Sequence, residues 1–256
     1  MSAKKGVLLI HGFTGSPHEF LPVDPLLREA GHFTRRVTLP GHGDAPERPL
    51  HKVSAEEILA HCQWEYEQLA REVDHISVVG HSLGGACSLL IAAERPSRLQ
   101  GVVAFSTPYE HAYLYNYWQG LAKLPLFTLL RGLYLAPSAQ FNCLRPRCLP
   151  WHVPRLLQQS QLVFNWMQER VHQVDVPVHL AHSEYDLTIP FREMEKLADV
   201  IGRANEQVTL TTLTQSGHRL FPASSDAEIA HQIILDFLEA QQNNALILPG
   251  SEELIF

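Results

Sequence analysis

Short apolar runs alternate with amphipathic segments along most of the chain. Residues 6–10 form a run of Gly, Val, Leu and Ile between more polar neighbours. Runs of this length predict strands that are covered on both faces, as in a parallel sheet. The same pattern predicts five further strands, at about 34–39, 76–80, 101–105, 178–181 and 207–213.

Segments with helical periodicity separate these predicted strands. We expect helices at about 19–30, 54–73, 86–94, 191–201 and 226–240. Ser54 and Glu57 have the spacing of a capping box, which marks the start of the second helix. Six βα units predict an α/β fold with a mostly parallel, doubly wound sheet and right-handed crossovers.

The alternation stops between residues 107 and 174, where aromatic residues and leucine replace the β-like runs. Helical spacing is seen at Tyr113, Tyr117 and Leu121, and a second helix opens at Pro154. Its predicted apolar face consists of Leu157, Phe164, Met167 and Val171. Because roughly 65 residues are too many for a plain loop, we expect a helical cap at 107–174. The core would then comprise residues 1–106 and 175–256.

Composition and charge exclude several classes of function. The 256 residues carry a formal net charge of −7, with acidic and basic residues mixed along the chain. This favours neither nucleic acid nor an acidic membrane surface as a partner. The apolar run at 7–10 is too short for a signal peptide or a membrane span, and charged and helix-breaking residues interrupt the window at 121–137. We therefore expect a cytoplasmic protein without an integral membrane segment.

The cysteines predict neither a disulfide framework nor a metal site. Four are present, Cys62, Cys87, Cys143 and Cys148, and free thiols are expected in a chain of this length. Cys143 and Cys148 with His152 do not match zinc-ligand spacing. The sequence thus predicts no metal and no cofactor.

A candidate nucleophile lies where the predicted strand at 76–80 turns into a helix. Gly80, Ser82 and Gly84 have the spacing of the G-x-S-x-G nucleophile elbow, in which a strained turn projects the serine hydroxyl from the sheet. The N–H of Leu83 would then lie at a helix N-terminus, available to a developing negative charge. The alternative reading of this pattern is a glycine-rich βα loop.

A serine nucleophile needs a base and an acid, which this type of site supplies from later loops in the order serine, acid, histidine. His218 follows the predicted strand at 207–213, and Asp186 follows the one before it. We expect His218 to take the proton of Ser82, and Asp186 to orient its ring. Glu184 shares the loop of Asp186 and is the competing candidate for the acid.

A second donor for an oxyanion is expected from the loop after the first strand. His11-Gly12-Phe13 opens this loop, and the backbone N–H of Phe13 would pair with that of Leu83. Gly12 would permit close approach of the backbone. The competing interpretation is an ordinary βα turn.

Together these motifs resemble the α/β-hydrolase superfamily, most closely bacterial carboxylesterases and monoacylglycerol lipases. The resemblance also includes Leu39-Pro40-Gly41-His42-Gly43 and covers residues 6–220 apart from the cap. It implies a serine esterase that works through an acyl-enzyme on a small-molecule ester. The chain departs from the superfamily at its start. Members usually have a β-hairpin before this first strand, but almost nothing precedes Gly6, so we expect the sheet to be shortened at that edge.

Other chemistries of this fold remain open at this point. Haloalkane dehalogenases and epoxide hydrolases use an aspartate nucleophile, so a serine at position 82 argues against both classes. Thioesterases, acyltransferases, carbon–carbon hydrolases and perhydrolases share the serine triad, and a non-catalytic binding protein is a further alternative.

Two features of the predicted cap bear on the substrate. Most of its apolar residues would pack the cap onto the sheet, and some would line the cleft and favour short- to medium-chain acyl groups. These apolar residues are Tyr113, Leu114, Tyr117, Trp118, Leu121, Leu124, Phe127, Leu129 and Leu130. The segment 107–174 also has six Lys and Arg residues against two Glu, which is either a solvated face or a preference for anionic substrates.

Overall fold

A six-stranded, wholly parallel sheet forms the centre of the protein. The computed structural model describes residues 3–44, 46–110, 153–221 and 224–243. The strand order is β2-β1-β3-β4-β5-β6, and every neighbouring pair is parallel. The strands are β1 (Lys5–Ile10), β2 (Phe33–Val37), β3 (His75–His81), β4 (Leu99–Phe105), β5 (Val178–Ser183) and β6 (Val208–Leu213).

Six α-helices cover the two faces of this sheet. They are α1 (Asp24–Glu29), α2 (Ala55–Ala70), α3 (Leu83–Ala93), α4 (Val153–Arg170), α5 (Arg192–Gly202) and α6 (Ala227–Asn243), counted over the described ranges. Alternate residues of the strands supply the two halves of the core: Leu8 and Ile10 pack with α2 to α5, whereas Val7 and Leu9 pack with α1 and α6. The predicted doubly wound α/β fold is confirmed.

The order of the strands places a switch point between β1 and β3. The chain leaves β1 toward β2 at one edge, then crosses back to β3 and continues to β6 at the other edge. Ile10 pairs with Gly80, so β1 and β3 end at the same level. In open α/β sheets, ligands bind outside the carboxyl ends of the strands at such a point.

The first predicted helix is wrong in its extent. In place of one helix over 19–30, a 3₁₀ turn at Pro17–Phe20 is followed by the short helix α1. Pro25 explains the break, because it has no N–H to donate and its ring would clash with the carbonyl four residues earlier in a continuous helix. α1 therefore starts with this proline in its first turn.

α4 begins where Pro154 predicts it, and its buried face differs from the predicted one at a single position. Phe164, Met167 and Val171 are buried as predicted, whereas Leu157 is only partly buried and Leu156 is buried instead. This face joins the hydrophobic core formed with α2 and α3. α4 thus provides the helical crossover from β4 to β5.

Most of the predicted cap lies outside the described residues. These include Tyr113, Tyr117 and the other apolar positions that we expect along the cleft. The division into a core and a cap at 107–174 stays a prediction. Within the described ranges, no helix is both long and apolar enough to cross a membrane.

Candidate active site

A sharp turn between β3 and α3 holds Ser82. Its backbone has φ 54° and ψ −116°, a conformation that is costly for a residue with a side chain. A Cβ on Gly84 would clash with the carbonyl oxygen of Ile10, and one on Gly80 would clash with the backbone of Gly84. Only glycine fits at both places because the helix starts against the ends of β1 and β3. The sequence pattern therefore corresponds to a strained, tightly packed strand–turn–helix.

His218 lies in the loop after β6, the strand at one edge of the sheet, and its ring extends to Ser82. Its Nε2 lies 3.1 Å from Oγ of Ser82, and its Nδ1 lies 2.7 Å from Oδ2 of Asp186. The loop that carries it is held by Asp226, whose Oδ2 accepts hydrogen bonds from the N–H groups of Gln215 and Ser216 at 3.0 and 2.7 Å. The three predicted side chains are thus brought together in the order serine, histidine, aspartate.

Asp186 is buried and fixed by its own loop. Its Oδ1 accepts hydrogen bonds from the N–H groups of Thr188 and Ile189, both at 2.8 Å. His182 also approaches Oδ2, with its Nε2 at 3.2 Å. Glu184, the competing candidate, is exposed to solvent. Of the two carboxylates in this loop, Asp186 is the one that contacts His218.

Burial and hydrogen bonding favour a neutral imidazole beside an ionised carboxylate. Burial lowers the pKa of His218, and the hydrogen bond from its ring to Asp186 offsets only part of that effect. Burial raises the pKa of Asp186, but hydrogen bonds from His182 and His218 outweigh it and hold the pKa well below its usual value. Near neutral pH the ring of His218 can therefore accept a proton from Ser82.

The loop after β1 satisfies the backbone N–H groups on either side of Phe13. The N–H of Gly12 donates to Oε2 of Glu19 at 3.1 Å, that of Thr14 to Nε2 of His42 at 3.0 Å, and that of Gly15 to the carbonyl of Gly12 at 3.0 Å. Across the described residues, the N–H of Phe13 has no such acceptor. The predicted oxyanion donor is thus an unused N–H between two satisfied neighbours.

This loop lies directly against the nucleophile. A Cβ on Gly12 would be 3.3 Å from Cβ of Ser82, so the backbone of the loop passes the serine at van der Waals distance. Leu83 is the first residue of α3, and the N–H groups of a first helical turn have no acceptor within the helix. Both predicted donors therefore flank Ser82.

Two largely buried titratable residues next to the site were not predicted. His81 directly precedes the nucleophile, its ring centroid is 4.9 Å from that of His218, and it forms an ion pair with Glu19. The sequence placed Glu19 at the start of the predicted helix at 19–30, and nothing in its spacing connects it with His81. Only the proximity of β1 to β3 in the sheet brings the two together.

The described residues contain no group of three or more His, Cys, Asp or Glu side chains arranged to hold a metal ion. Cys62 and Cys87 are buried free thiols. Cys143, Cys148 and His152 lie outside the described residues.

Comparison with known families places this architecture. The sequence model described as "Alpha/beta hydrolase family" matches residues 7–232, which is most of the chain. This chain belongs to the alpha/beta hydrolase family. This match confirms the superfamily that the sequence motifs indicate.

Curated relatives include several ester hydrolases. A thermostable monoacylglycerol lipase of Bacillus sp. (strain H-257) is 30% identical over 122 residues, which is 48% of each chain. The alpha/beta hydrolase thus aligns with about half the length of that relative. A pimeloyl-[acyl-carrier protein] methyl ester esterase of Neisseria meningitidis is 28% identical over 93% of this chain and 94% of its own. A carboxylesterase of Bacillus subtilis is 23% identical over 92% of each.

Solved structures agree on the fold. A monoacylglycerol lipase of Paleococcus ferrophilus superposes with a TM-score of 0.66 at 22% identity, covering 92% of this chain and 94% of its own. The structure shows the fold, and the similarity to ester hydrolases comes from the sequence relatives, as the sequence motifs predict.

Proposed function

We propose that the alpha/beta hydrolase is a serine carboxylic-ester hydrolase that works through an acyl-enzyme. The observation that carries this proposal is the continuous contact from Oγ of Ser82 through the ring of His218 to Oδ2 of Asp186. A buried aspartate that holds Nδ1–H leaves Nε2 as the basic nitrogen, and that nitrogen faces the serine hydroxyl. No other hydroxyl in the described part of the chain has this arrangement.

The geometry supports a sequence of two acyl transfers. Nε2 of His218 takes the proton of Ser82 as Oγ attacks the ester carbonyl, and the N–H groups of Phe13 and Leu83 stabilise the oxyanion. His218 then gives the proton to the departing alkoxide, which leaves as the alcohol. Water attacks the acyl-enzyme by the same route, releasing the acid and restoring Ser82.

Esters with short- to medium-chain acyl groups, including monoacylglycerols, are the proposed substrates. The names of the lipase of Bacillus sp. and the carboxylesterase of Bacillus subtilis support this class. The ring of Phe13 is only partly buried and packs edge-on against His42, with the centroids 6.1 Å apart. It provides an apolar wall next to the carbonyl position, as expected for sites that bind acyl chains.

The methyl ester of a carrier-bound acid is the second candidate substrate. The observation in its favour is that the alignment with the Neisseria meningitidis methyl ester esterase extends over 93% of this chain, whereas that with the lipase of Bacillus sp. covers 48%. The excess of basic residues in 107–174 would suit an acidic carrier.

Labelling with a fluorophosphonate probe tests the nucleophile. We expect the wild-type protein to be labelled, and Ser82→Ala to lose both the label and ester hydrolysis by more than about a thousandfold. Ser77→Ala is the matched control, since Ser77 is also buried on β3 but lies near the opposite end of the strand. Normal turnover by a folded Ser82→Ala protein would overturn the proposal.

A substrate panel under one set of conditions separates the candidates. It comprises p-nitrophenyl esters, a monoacylglycerol, an acyl thioester and a methyl ester on an acyl carrier protein. The ratio of kcat/KM for the carrier-bound methyl ester to that for the same methyl ester without the carrier decides between the two substrate classes. A ratio near one excludes recognition of the carrier, and preference for the thioester would contradict both.

A further inference from the structure

The hydrogen-bond partners of a histidine restrict the protonation states that suit it, and most histidines around this site have partners that suit a neutral ring. His11 and His42 each face a backbone N–H with Nε2 and a carbonyl oxygen with Nδ1. One nitrogen accepts and the other donates, as in a neutral imidazole. His218 is the same, because Nδ1 faces Asp186 while Nε2 faces the hydroxyl of Ser82, which can donate.

His81 differs because both of its ring nitrogens face acceptors. Nε2 lies 2.8 Å from the carbonyl oxygen of His218, and Nδ1 forms an ion pair with Oε1 of Glu19. A carbonyl oxygen and a carboxylate oxygen can only accept hydrogen bonds, so this arrangement favours a proton on both nitrogens. Beside an ionised Glu19 this arrangement suits an imidazolium, although Nδ1 makes no well-aligned hydrogen bond and the side chain is only 6% exposed.

Glu19 supplies the compensating charge and a second link. Its side chain is 11% exposed. Besides contacting His81, it accepts the N–H of Gly12 through Oε2 at 3.1 Å. Gly12 is the residue before the proposed oxyanion donor Phe13. Two side chains therefore connect the loop after β1, the turn at Ser82 and the loop that carries His218.

We propose that Glu19 and His81 are a buried, charged positioning pair that fixes the oxyanion loop and the His218 loop relative to Ser82. The catalytic effect of this pair rests on the proposed function, whereas the pair itself does not depend on it. His81 also keeps a positive charge beside the ring of His218, which disfavours a second positive charge there. The charge of the pair thus helps to keep His218 neutral and basic.

Other titratable groups face the same two rings. His81 is near Glu19, His11 and Asp186 as well as His218, while His218 is near Asp186 and His182. Burial lowers the pKa of His81, but the carboxylate of Glu19 outweighs it and raises the pKa above its ordinary value. The charge of His81 also acts to lower the pKa of His218.

A direct test observes the proton on His81 in the wild-type protein. Long-range ¹H–¹⁵N spectra of ¹⁵N-histidine-labelled protein distinguish an imidazolium from either neutral tautomer. At pH 7 we expect one buried histidine with both ring nitrogens protonated, and its signals should be lost in His81→Gln or shifted in Glu19→Gln. Wild-type spectra in which every buried histidine is neutral at pH 7 would overturn the proposal without recourse to activity.

Glu19→Gln is the sharpest functional variant. A glutamine keeps an oxygen for the N–H of Gly12 and offers an amide N–H to Nδ1 of His81, so the ring can become neutral with its bond to His218 retained. We expect the acid limb of kcat/KM against pH to move upward by about half a unit to one unit. We also expect kcat to fall about tenfold, with KM changed by less than about twofold.

His61→Gln is the matched control. His61 forms an ion pair with Glu65 on α2, with Nε2 at 3.4 Å from Oε1, but contacts no residue of the site. Its pH profile should equal that of the wild type. If Glu19→Gln lowers the melting temperature but leaves the acid limb of kcat/KM unchanged, the pair has only a structural role. That result would contradict the proposal. Failure of the ester-hydrolase function is seen separately, as loss of fluorophosphonate labelling at Ser82 in the wild type.

Discussion

His218 contacts Ser82 across two intervening strands. The two residues are 136 positions apart, and Nε2 lies 3.1 Å from Oγ although β4 and β5 separate their strands in the sheet. The loop after β6 therefore has to return along the carboxyl edge of the sheet. Its backbone is tied to Asp226 at one point and to the ring of His81 at another. The position of the ring thus depends on both anchors.

The two carboxylates of the loop after β5 should differ sharply in their effect on the rate. Asp186→Asn is expected to reduce kcat by several orders of magnitude, about 10⁴-fold, because an amide that donates toward Nδ1 favours the wrong tautomer of His218. Glu184→Gln, its exposed neighbour, should change kcat by less than about twofold. Equal losses in the two variants, measured with the same p-nitrophenyl ester, would contradict the assignment of the acid.

The pH profile of the wild-type enzyme should show its acid limb below pH 6.5. The base must be neutral to accept a proton, and burial lowers the pKa of His218 from the ordinary value of 6.5. The kcat/KM is therefore expected to be flat at pH 7 and above and to fall as the pH drops below that value. A limb centred above pH 7 for a non-ionisable ester would exclude His218 as the group that titrates.

The close packing of the elbow predicts a large difference between two glycine substitutions. In Gly84→Ala the new methyl group meets the carbonyl of Ile10, so we expect loss of soluble protein or destabilisation of about 3 kcal/mol or more. In Gly202→Ala nothing lies within 4 Å of the new Cβ, and the free energy of unfolding should change by less than about 1 kcal/mol. Urea unfolding measures both, and similar losses would contradict the packing described for α3.

His42 should make the stability of the folded protein depend on pH. Burial lowers its pKa to about 3. Below pH 6.5 the unfolded chain therefore binds a proton that the folded protein does not, and stability falls as the pH drops from 6.5 toward 3. The loss is about 1.4 kcal/mol per pH unit in this window.

Replacing His42 with glutamine should remove this contribution. We expect the difference in unfolding free energy between pH 7 and pH 5 to shrink in His42→Gln, by up to about 2 kcal/mol, relative to wild type. The exposed His75 provides the control His75→Gln, which should keep the wild-type difference. The same pH dependence in all three proteins would show that His42 is not the group responsible.

The length of the acyl chain should control the specificity constant. Each methylene that enters an apolar pocket contributes about 0.8 kcal/mol, or roughly fourfold in kcat/KM, until the pocket is full. We expect a rise from acetyl to about butyryl or hexanoyl p-nitrophenyl esters. A flat or falling series would exclude an apolar acyl pocket.

The sequence alone determined the architecture of the core and the residue types of the candidate site, because both follow from local patterns of residues. Apolar runs between helical segments require a sheet covered on both faces, and the glycines at 80 and 84 mark the turn around Ser82 because no side chain fits there. The positions of Asp186 and His218 after successive strands follow from the parallel order. The break before α1 was not predicted, although Pro25, which has no N–H to donate, is the sequence signal that could have indicated it.

Only the tertiary structure decided which groups meet and how burial and neighbouring groups shift their pKa values. Contact with His218 distinguishes Asp186 from Glu184. Phe13 is distinguished from its neighbours because their N–H groups already have acceptors. A sequence pattern encodes neither contact. The pairing of Glu19 with His81 arises because β1 and β3 are adjacent, while the residues themselves are ordinary in composition. Protonation depends on burial and on facing acceptors, which are properties of three-dimensional packing rather than of residue type.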